Sequence, residues 1–166
     1  MGSPVNFYSR TASQLDPDLY LLLHMNDVDG STTFLDSSIY ANTVTPSGDT
    51  QIDTSQSVFG GSSGLFDGTG DFLTVPDNGN GWNLTGSLTD SWTLDFRMYL
   101  PTQVMVSQVL VCKIPNSDNY WSFTITNDRK ISFRSIVGGL FNVQDLRSGV
   151  NAISFDTWHH VALVIV

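Results

Sequence analysis

Apolar and polar residues alternate strictly in the second half of the chain. From Trp92 to Met98 every second residue is apolar, so these side chains lie on one face of a β-strand and the polar ones on the other. The same period of two recurs at 120–126, and 130–134 follows after an Asn-Asp turn, which predicts a hairpin. Apolar rows that face each other in this way predict an antiparallel two-sheet sandwich.

Further apolar segments predict additional strands. Residues 19–25 and 157–166 are nearly continuous apolar runs, which are typical of strands buried on both faces. A shorter strand is predicted at 141–146. The predicted core consists of Leu21, Leu23, Trp92, Leu94, Phe96, Trp121, Phe123, Ile125, Phe133, Trp158 and Val164.

The stretch at 59–77 reads FGGSSGLFDGTGDFLTVPD. It predicts two short strands, at 65–66 and 72–75, because apolar residues alternate there with small polar ones. The Gly-Thr-Gly between them supplies the positive φ that a tight turn needs. Pro76 ends the second strand because it has no backbone donor.

The segment 59–77 resembles the laminin G-like, concanavalin A-like lectin/glucanase jelly-roll family, whose members carry a sequence of the form FGG-S-(L/Y)-FDGTGD-(Y/F)-L-(T/S)-VPD. Residues 19–25 resemble the family's opening strand LLLHF(D/N), and 30–38 resemble the GST-F-DSS segment that follows it. Residues 42–45 and 51–54 continue the resemblance as short strands, and residues 158–162 match the WHHVA signature of the family. The resemblance covers 19–166 and implies an all-β, antiparallel two-sheet jelly roll. It is closest to copies of this domain in bacteriophage structural proteins and bacterial surface proteins.

Domain organisation follows from length and resemblance together. A chain of 166 residues suffices for one hydrophobic core, so we expect an N-terminal arm at 1–17 and one sandwich at 18–166. In the family, the strand matched by 157–166 is followed by closing strands that complete the jelly roll. The resemblance therefore implies a C-terminally incomplete domain, whose closing strands are missing or supplied by a neighbouring subunit. The polar arm is the expected point of docking onto that subunit.

Composition and charge exclude several classes of function. The net charge is -9 and the seven cations are scattered, so nucleic acid is not an expected partner. No signal-peptide pattern and no apolar run of about 20 residues is present, so no membrane span is predicted. The single cysteine, Cys112, lies in an apolar run and is predicted to be a buried thiol.

Catalysis is not expected. A glycosidase needs two carboxylates at opposite sides of the scissile bond, and the glucanase relatives supply them as Glu-x-Asp-x-x-Glu on one strand. All 16 acidic residues of this chain are Asp, and the Asp pairs at spacing two lie in turns. His159 and His160 are adjacent and point to opposite faces of a strand, which favours structural histidines over metal ligands.

Calcium is the cofactor that the acidic turns favour. Asp27 and Asp29 lie two apart in a turn, and Asp71 and Asp77 lie within 59–77. Calcium binds several hard oxygen ligands, and laminin-type relatives hold it at the sandwich rim with Asp side chains and backbone carbonyls. The alternative is that these aspartates only form turns, which is ordinary Asp-Gly chemistry.

A ligand site is predicted at the loop that follows residue 77. Trp82 is the one tryptophan in a loop setting, beside Asn78 and Asn80, where it suits stacking on a sugar ring. The alternative is that Trp82 folds back and caps the sandwich.

The sequence thus predicts a non-catalytic β-sandwich module of a virion or cell-surface assembly, of the phage decoration or tail-fibre type, that serves surface attachment or glycan or protein recognition. A free-standing calcium-dependent lectin is the alternative, and a glycoside hydrolase is disfavoured. The expected partners are neighbouring subunits, in a homo-oligomer or a particle, and a cell-surface glycan. The expected location is a virion surface or outside the cell.

Overall fold

A computed structural model describes residues 16–77, 79, 82, 84, 91–102, 107–116 and 119–166. The chain falls into two compact units, Met1–Asn80 and Gly81–Val166. Every regular element in the described ranges is a β-strand and every strand pair is antiparallel, which confirms the predicted all-β class. Among these residues no helix is long and apolar enough to cross a membrane.

The first unit contains two small sheets of two strands each. Its strands are β1 Thr45–Ser47, β2 Gln51–Asp53, β3 Ser63–Leu65 and β4 Phe72–Thr74. Strand β1 pairs with β4, and β2 pairs with β3. The two strands predicted within 59–77 therefore exist, but each pairs with a strand from the preceding segment. Gly68 and Gly70 between them have φ of 84° and 83°, as the predicted turn requires.

Residues 19–25 do not form the predicted strand. One antiparallel bridge joins Leu23 to Asp36, and Leu21 and Leu23 are half-buried instead of lying in a core. The reason is that the Asp36 side chain, rather than a neighbouring backbone, accepts the hydrogen bond of the Leu22 N–H at 2.9 Å. The Asp36 carboxylate therefore takes the place of a backbone carbonyl of a neighbouring strand as the hydrogen-bond acceptor.

The second unit is a sandwich of two antiparallel layers. Its strands are β5 Trp92–Tyr99, β6 Gln108–Asn116, β7 Asn119–Ile125, β8 Ile131–Val137, β9 Leu140–Arg147 and β10 Trp158–Ile165. One layer is the sheet β6-β7-β8-β9, and the other is the ribbon β10-β5. Phe96 of the ribbon meets Phe123 of the sheet edge to face, with ring centroids 5.7 Å apart, and Trp92 lies against Phe133. These contacts confirm the predicted sandwich.

The core prediction is right for the alternating strands. Trp121, Phe123, Ile125 and Phe133 are buried, and the apolar row of β5 packs against them. Trp158 is half-buried and packs on Tyr99. Val164 was wrongly placed in the core: it is 56% exposed and lies opposite Thr93 on the outer face. Its strand is a continuous apolar run, so no alternation marked which face is buried.

Cys112 was also wrongly predicted to be buried. The pairing of β6 with β7 shifts between Val109 and Val111, which marks a β-bulge. An extra residue in a strand moves every following side chain to the opposite face. Cys112 therefore lies opposite Ser122 and is exposed.

The domain boundaries remain a prediction. Most of the arm at 1–17 falls outside the described residues, and one sandwich over 18–166 stays an expectation from length and resemblance.

Candidate functional site

The outer face of the four-stranded sheet forms an open groove with a volume of about 420 Å³. On β7, Tyr120, Ser122 and Thr124 alternate with the buried aromatic residues, so they point away from the core. Across the hairpin, Ser122 faces Arg134 and Thr124 faces Ser132. We call this surface the polar groove, and its lining residues are Ser107, Gln108, Val109, Tyr120, Ser122, Thr124, Thr126, Asn127, Asp128, Lys130, Ser132, Arg134 and Arg147.

Hydroxyl and amide groups dominate the lining of the polar groove. Ser107, Ser122, Thr124, Thr126 and Ser132 supply aliphatic hydroxyls, beside one phenol and two carboxamides. Each of these groups both donates and accepts hydrogen bonds. The groove is therefore suited to a ligand that carries many neutral donors and acceptors.

Two ion pairs lie at the polar groove. The Lys130 ammonium is 2.7 Å from Asp128, and the hydrogen bonds from Lys130 and from the Thr126 hydroxyl hold the pKa of Asp128 below its usual range. Arg147 donates two hydrogen bonds of 2.8 Å to Asp145, one to each carboxylate oxygen. This contact lowers the pKa of Asp145 and raises the pKa of Arg147. Both carboxylates are therefore charged at neutral pH.

Arg134 is a third cation of the polar groove. Its register places it between Ser122 on β7 and Asp145 on β9. Arg147 already occupies both oxygens of Asp145, and the positive charge of Arg134 lowers the pKa of Asp145 further without a hydrogen bond between the two. The Nε atom of Arg134 is buried and has no hydrogen-bond partner among the described residues.

Of the predicted ligand residues, the structure describes only Trp82, which is not among the residues that line this groove. Trp82 is half-buried, and its backbone carbonyl accepts a hydrogen bond of 3.0 Å from Nε1 of the buried Trp121. This contact favours the alternative in which Trp82 caps the sandwich, and its use as a sugar platform remains a prediction. Asn78 and Asn80 lie outside the described residues.

One of the predicted metal residues joins an acidic cluster in the first unit. Carboxylate oxygens of Asp49, Asp67 and Asp71 lie within 4.8 Å of one another. Asp71 accepts the backbone N–H groups of Asp49 and Asp67, both at 2.9 Å, and these bonds lower its pKa. The pKa of Asp49 is raised by its hydrogen bond to the Asp71 carboxyl and by repulsion from the two other carboxylates.

The other three predicted metal residues accept hydrogen bonds from the chain itself, locally at Asp27 and Asp77 and from a distant segment at Asp29. Asp27 accepts from the Ser31 hydroxyl at 2.7 Å, and Asp29 accepts from the backbone of Thr54 at 2.9 Å. Asp77 accepts from the backbone of Gly79 at 3.1 Å. Within the described part of the chain, none of these three joins Asp71 in a cluster of possible ligands. Calcium binding remains a prediction.

The adjacent histidines have separate structural partners. His160 is 2.7 Å from the Asp95 carboxylate on the outer face of the ribbon. The Nε2 atom of His159 lies 3.0 Å from the backbone nitrogen of Ser154. The prediction that the two rings serve structure and not one metal site agrees with these contacts.

Sequence reasoning missed the polar groove as a site, although the signal was present. The outward positions of the hairpin at 120–134 carry hydroxyl groups and cations, and the inward positions are aromatic or aliphatic. The pairing of this hairpin with β9, which brings Asp145 and Arg147 beside Arg134 and Ser132, could not be predicted from the local pattern.

No protein-family model matches the chain, and no curated protein matches it. In structure, the chain is similar to residues 221–444 of an S-layer domain-containing protein from Clostridium thermocellum, solved at 2.1 Å. The sequence identity is 17% and the TM-score is 0.48, with 87% of this chain and 67% of that chain covered. A likeness of this size carries no inference about the site.

Proposed function

We propose that this chain is a non-catalytic β-sandwich recognition module that binds a saccharide chain in the polar groove. The observation that carries the proposal is the groove itself, an open, hydroxyl-lined surface of about 420 Å³ on the rigid four-stranded sheet. Ligand sites in proteins have volumes of about 300–1,000 Å³ and a few well-placed polar groups. An open groove accommodates an extended sugar chain better than an enclosed pocket does.

Hydrogen-bonding chemistry supports a saccharide as the ligand. Sugar hydroxyls donate and accept, and the serine, threonine, glutamine and asparagine side chains of the groove do the same. The half-buried ring of Tyr120 offers a flat apolar surface with a polar tip, which suits the face of a sugar ring.

The carboxylates at the groove support a non-catalytic role. A glycosidase needs a carboxylic acid that keeps its proton near neutral pH, which requires a raised pKa. Asp128 and Asp145 are both paired with cations, and the pKa of each is lowered. Neither can act as the proton donor.

The place of the module in biology is proposed from the resemblance. The laminin G-like, concanavalin A-like motifs at 59–77 and 158–162 support a jelly-roll module of a virion or cell-surface assembly. The two-layer antiparallel second unit is of the architecture that the resemblance implies. Neighbouring subunits of that assembly and a cell-surface glycan are the proposed partners, on a virion surface or outside the cell.

A calcium-dependent lectin is the alternative function, and the cluster of Asp49, Asp67 and Asp71 favours it. Calcium requires several oxygen ligands, and three carboxylates could supply part of that set. Laminin-type resemblance and this cluster together support the proposal that calcium steadies the loops of the first unit.

A glycan array tests the proposed function. We expect the chain to bind a subset of immobilised glycans, and Ser122→Trp to abolish that binding by filling the polar groove. Ser57→Trp, at an exposed serine of the first unit, is the matched control and should bind like the parent chain. Binding that survives Ser122→Trp, or an array without any bound glycan, would contradict the proposal.

A further inference from the structure

The polar groove carries a surplus of positive charge in an acidic chain. Three of the seven cations, Lys130, Arg134 and Arg147, line it, whereas the net charge of the chain is -9. Two carboxylates accompany them, Asp128 in the lining and Asp145 beside it on β9. One cation at the groove therefore has no carboxylate of its own.

The hydrogen bonds identify Arg134 as that cation. Lys130 is paired with Asp128, and Arg147 takes both oxygens of Asp145. Arg134 is left with a buried Nε–H that has no acceptor among the described residues. Arg134 is thus the cation of the groove whose guanidinium has no carboxylate partner, and it is left for an acceptor that arrives with a ligand.

The neighbours of Arg134 are those of a sugar-binding position. Ser122 lies directly across the hairpin, and Ser132 lies two residues earlier on the same face of β8. Both serines are among the residues that line the groove with Arg134, and Ser132 is only 7% exposed. A guanidinium group beside the Ser122 hydroxyl can receive a charged substituent while the hydroxyl binds a neutral group of the same sugar.

We infer that Arg134 binds the carboxylate of an acidic saccharide, such as a uronic acid residue, within the polar groove. The inference rests on the proposed function and names its ligand class. A planar guanidinium can form two parallel hydrogen bonds with a carboxylate through its two terminal nitrogens. The surplus of one positive charge in the groove matches one singly charged carboxylate of the bound saccharide.

Binding of matched acidic and neutral glycans tests this inference. An array is prepared with uronic acid- and sialic acid-containing oligosaccharides, their methyl esters, and neutral oligosaccharides of the same length. We expect the carboxylated members to bind best and Arg134→Gln to weaken them by about tenfold or more, as loss of a charge-assisted hydrogen bond does. Methyl esterification of the glycan should weaken its binding to the parent chain by a similar factor. The esters should bind the parent chain and Arg134→Gln with equal affinity.

Two further variants separate recognition from an effect on folding. Arg134→Lys keeps the charge but not the planar fork, so we expect it to keep the fold and to recover part of the affinity for carboxylated glycans. Arg97→Gln removes a cation from the outer face of β5, outside the groove lining, and should leave glycan binding unchanged. Thermal melting of each variant verifies that it is folded.

The outcomes also separate this inference from the proposed function. Equal binding of neutral and carboxylated glycans, lost in Ser122→Trp, would overturn the role of Arg134 and keep the groove as a saccharide site. If Arg134→Gln weakens the binding of neutral and acidic glycans equally, the proposed role of Arg134 is also wrong. If no glycan binds at all, both the inference and the proposed function are wrong.

Discussion

Asp36 holds three segments of the first unit through one carboxylate. It accepts the backbone N–H groups of Leu22, Ser38 and Asn42, each at 2.9 Å, and the side chains of Ser38 and Asn42 at 2.8 Å. Desolvation raises the pKa of Asp36, but the hydrogen bonds outweigh it and the net shift is downward. The charged form is therefore the one that the fold uses.

Asp36→Asn should destabilise the chain in a pH-dependent way. An amide can accept fewer of these bonds, and its NH₂ faces other donors, so we expect a loss of about 1–2 kcal/mol at pH 7 for this half-buried site. The folded pKa lies below the unfolded value of about 3.9, so the contribution is complete above about pH 5 and is lost as the pH falls through the folded pKa.

Urea unfolding at several pH values measures this effect. The difference between the parent chain and Asp36→Asn should shrink as the pH is lowered below about 4, because protonation removes the same interaction. Asp18→Asn, at an exposed aspartate nearby, is the control and should change little. A difference between parent and Asp36→Asn that is constant with pH would contradict the assignment.

Val161 and Val164 form a matched pair on one strand. Val161 is 8% exposed and lies in the core, whereas Val164 is 56% exposed on the outer face. Val161→Ala should cost about 2 kcal/mol, from the loss of two buried methyl groups and the cavity they leave. Val164→Ala should stay within about 0.5 kcal/mol. Equal costs in chemical denaturation would show that the faces of β10 are wrongly assigned.

At the scale of elements, alternation predicted the strands of the second unit well. The row from Trp92 to Met98 became β5, and the hairpin at 120–134 became β7 and β8, because half-buried strands show their buried face in the sequence. Continuous apolar runs were less informative. They placed β10 correctly but not Val164, and they predicted a strand at 19–25 where Asp36 provides the acceptors instead.

Strand pairing was beyond what the local pattern could give. The two strands within 59–77 are separated by a glycine turn, which is typical of a hairpin, yet they pair with β2 and β1. The glycine turn instead places Asp71 where its carboxylate accepts the backbone N–H groups of Asp49 and Asp67. These hydrogen bonds hold two loops together. A Cβ at Gly48 would lie 2.2 Å from Asp71 Oδ1, so this approach requires glycine.

If the chain is a calcium-dependent lectin, calcium should bind between these two loops and stabilise them. We expect millimolar calcium to raise the melting temperature of the chain, because a cation among Asp49, Asp67 and Asp71 offsets the repulsion between these carboxylates. Asp71→Asn should abolish the rise. Asp27→Asn, which removes a carboxylate outside the cluster, should retain it. A melting temperature that ignores calcium and chelator alike would leave these aspartates as turn residues.

At the scale of the whole molecule, the sequence predicted the fold class but not the site that the geometry favours. The residues predicted to bind ligand were the exceptional ones, such as Trp82 in its loop. The polar groove is instead made of ordinary serine, threonine and arginine residues from four segments of the second unit. Such a site arises only when strand register brings Ser122, Arg134 and Asp145 side by side.

In the proposed function, a saccharide lies across the outer face of the four-stranded sheet. Chemical-shift mapping by NMR locates the bound sugar when the parent chain is titrated with the glycan that binds best on the array. We expect the largest backbone shifts at Tyr120, Ser122, Thr124, Ser132 and Arg134. Shifts centred on Trp82, or on the acidic loops at 67–71, with the groove residues unchanged, would contradict the proposed function.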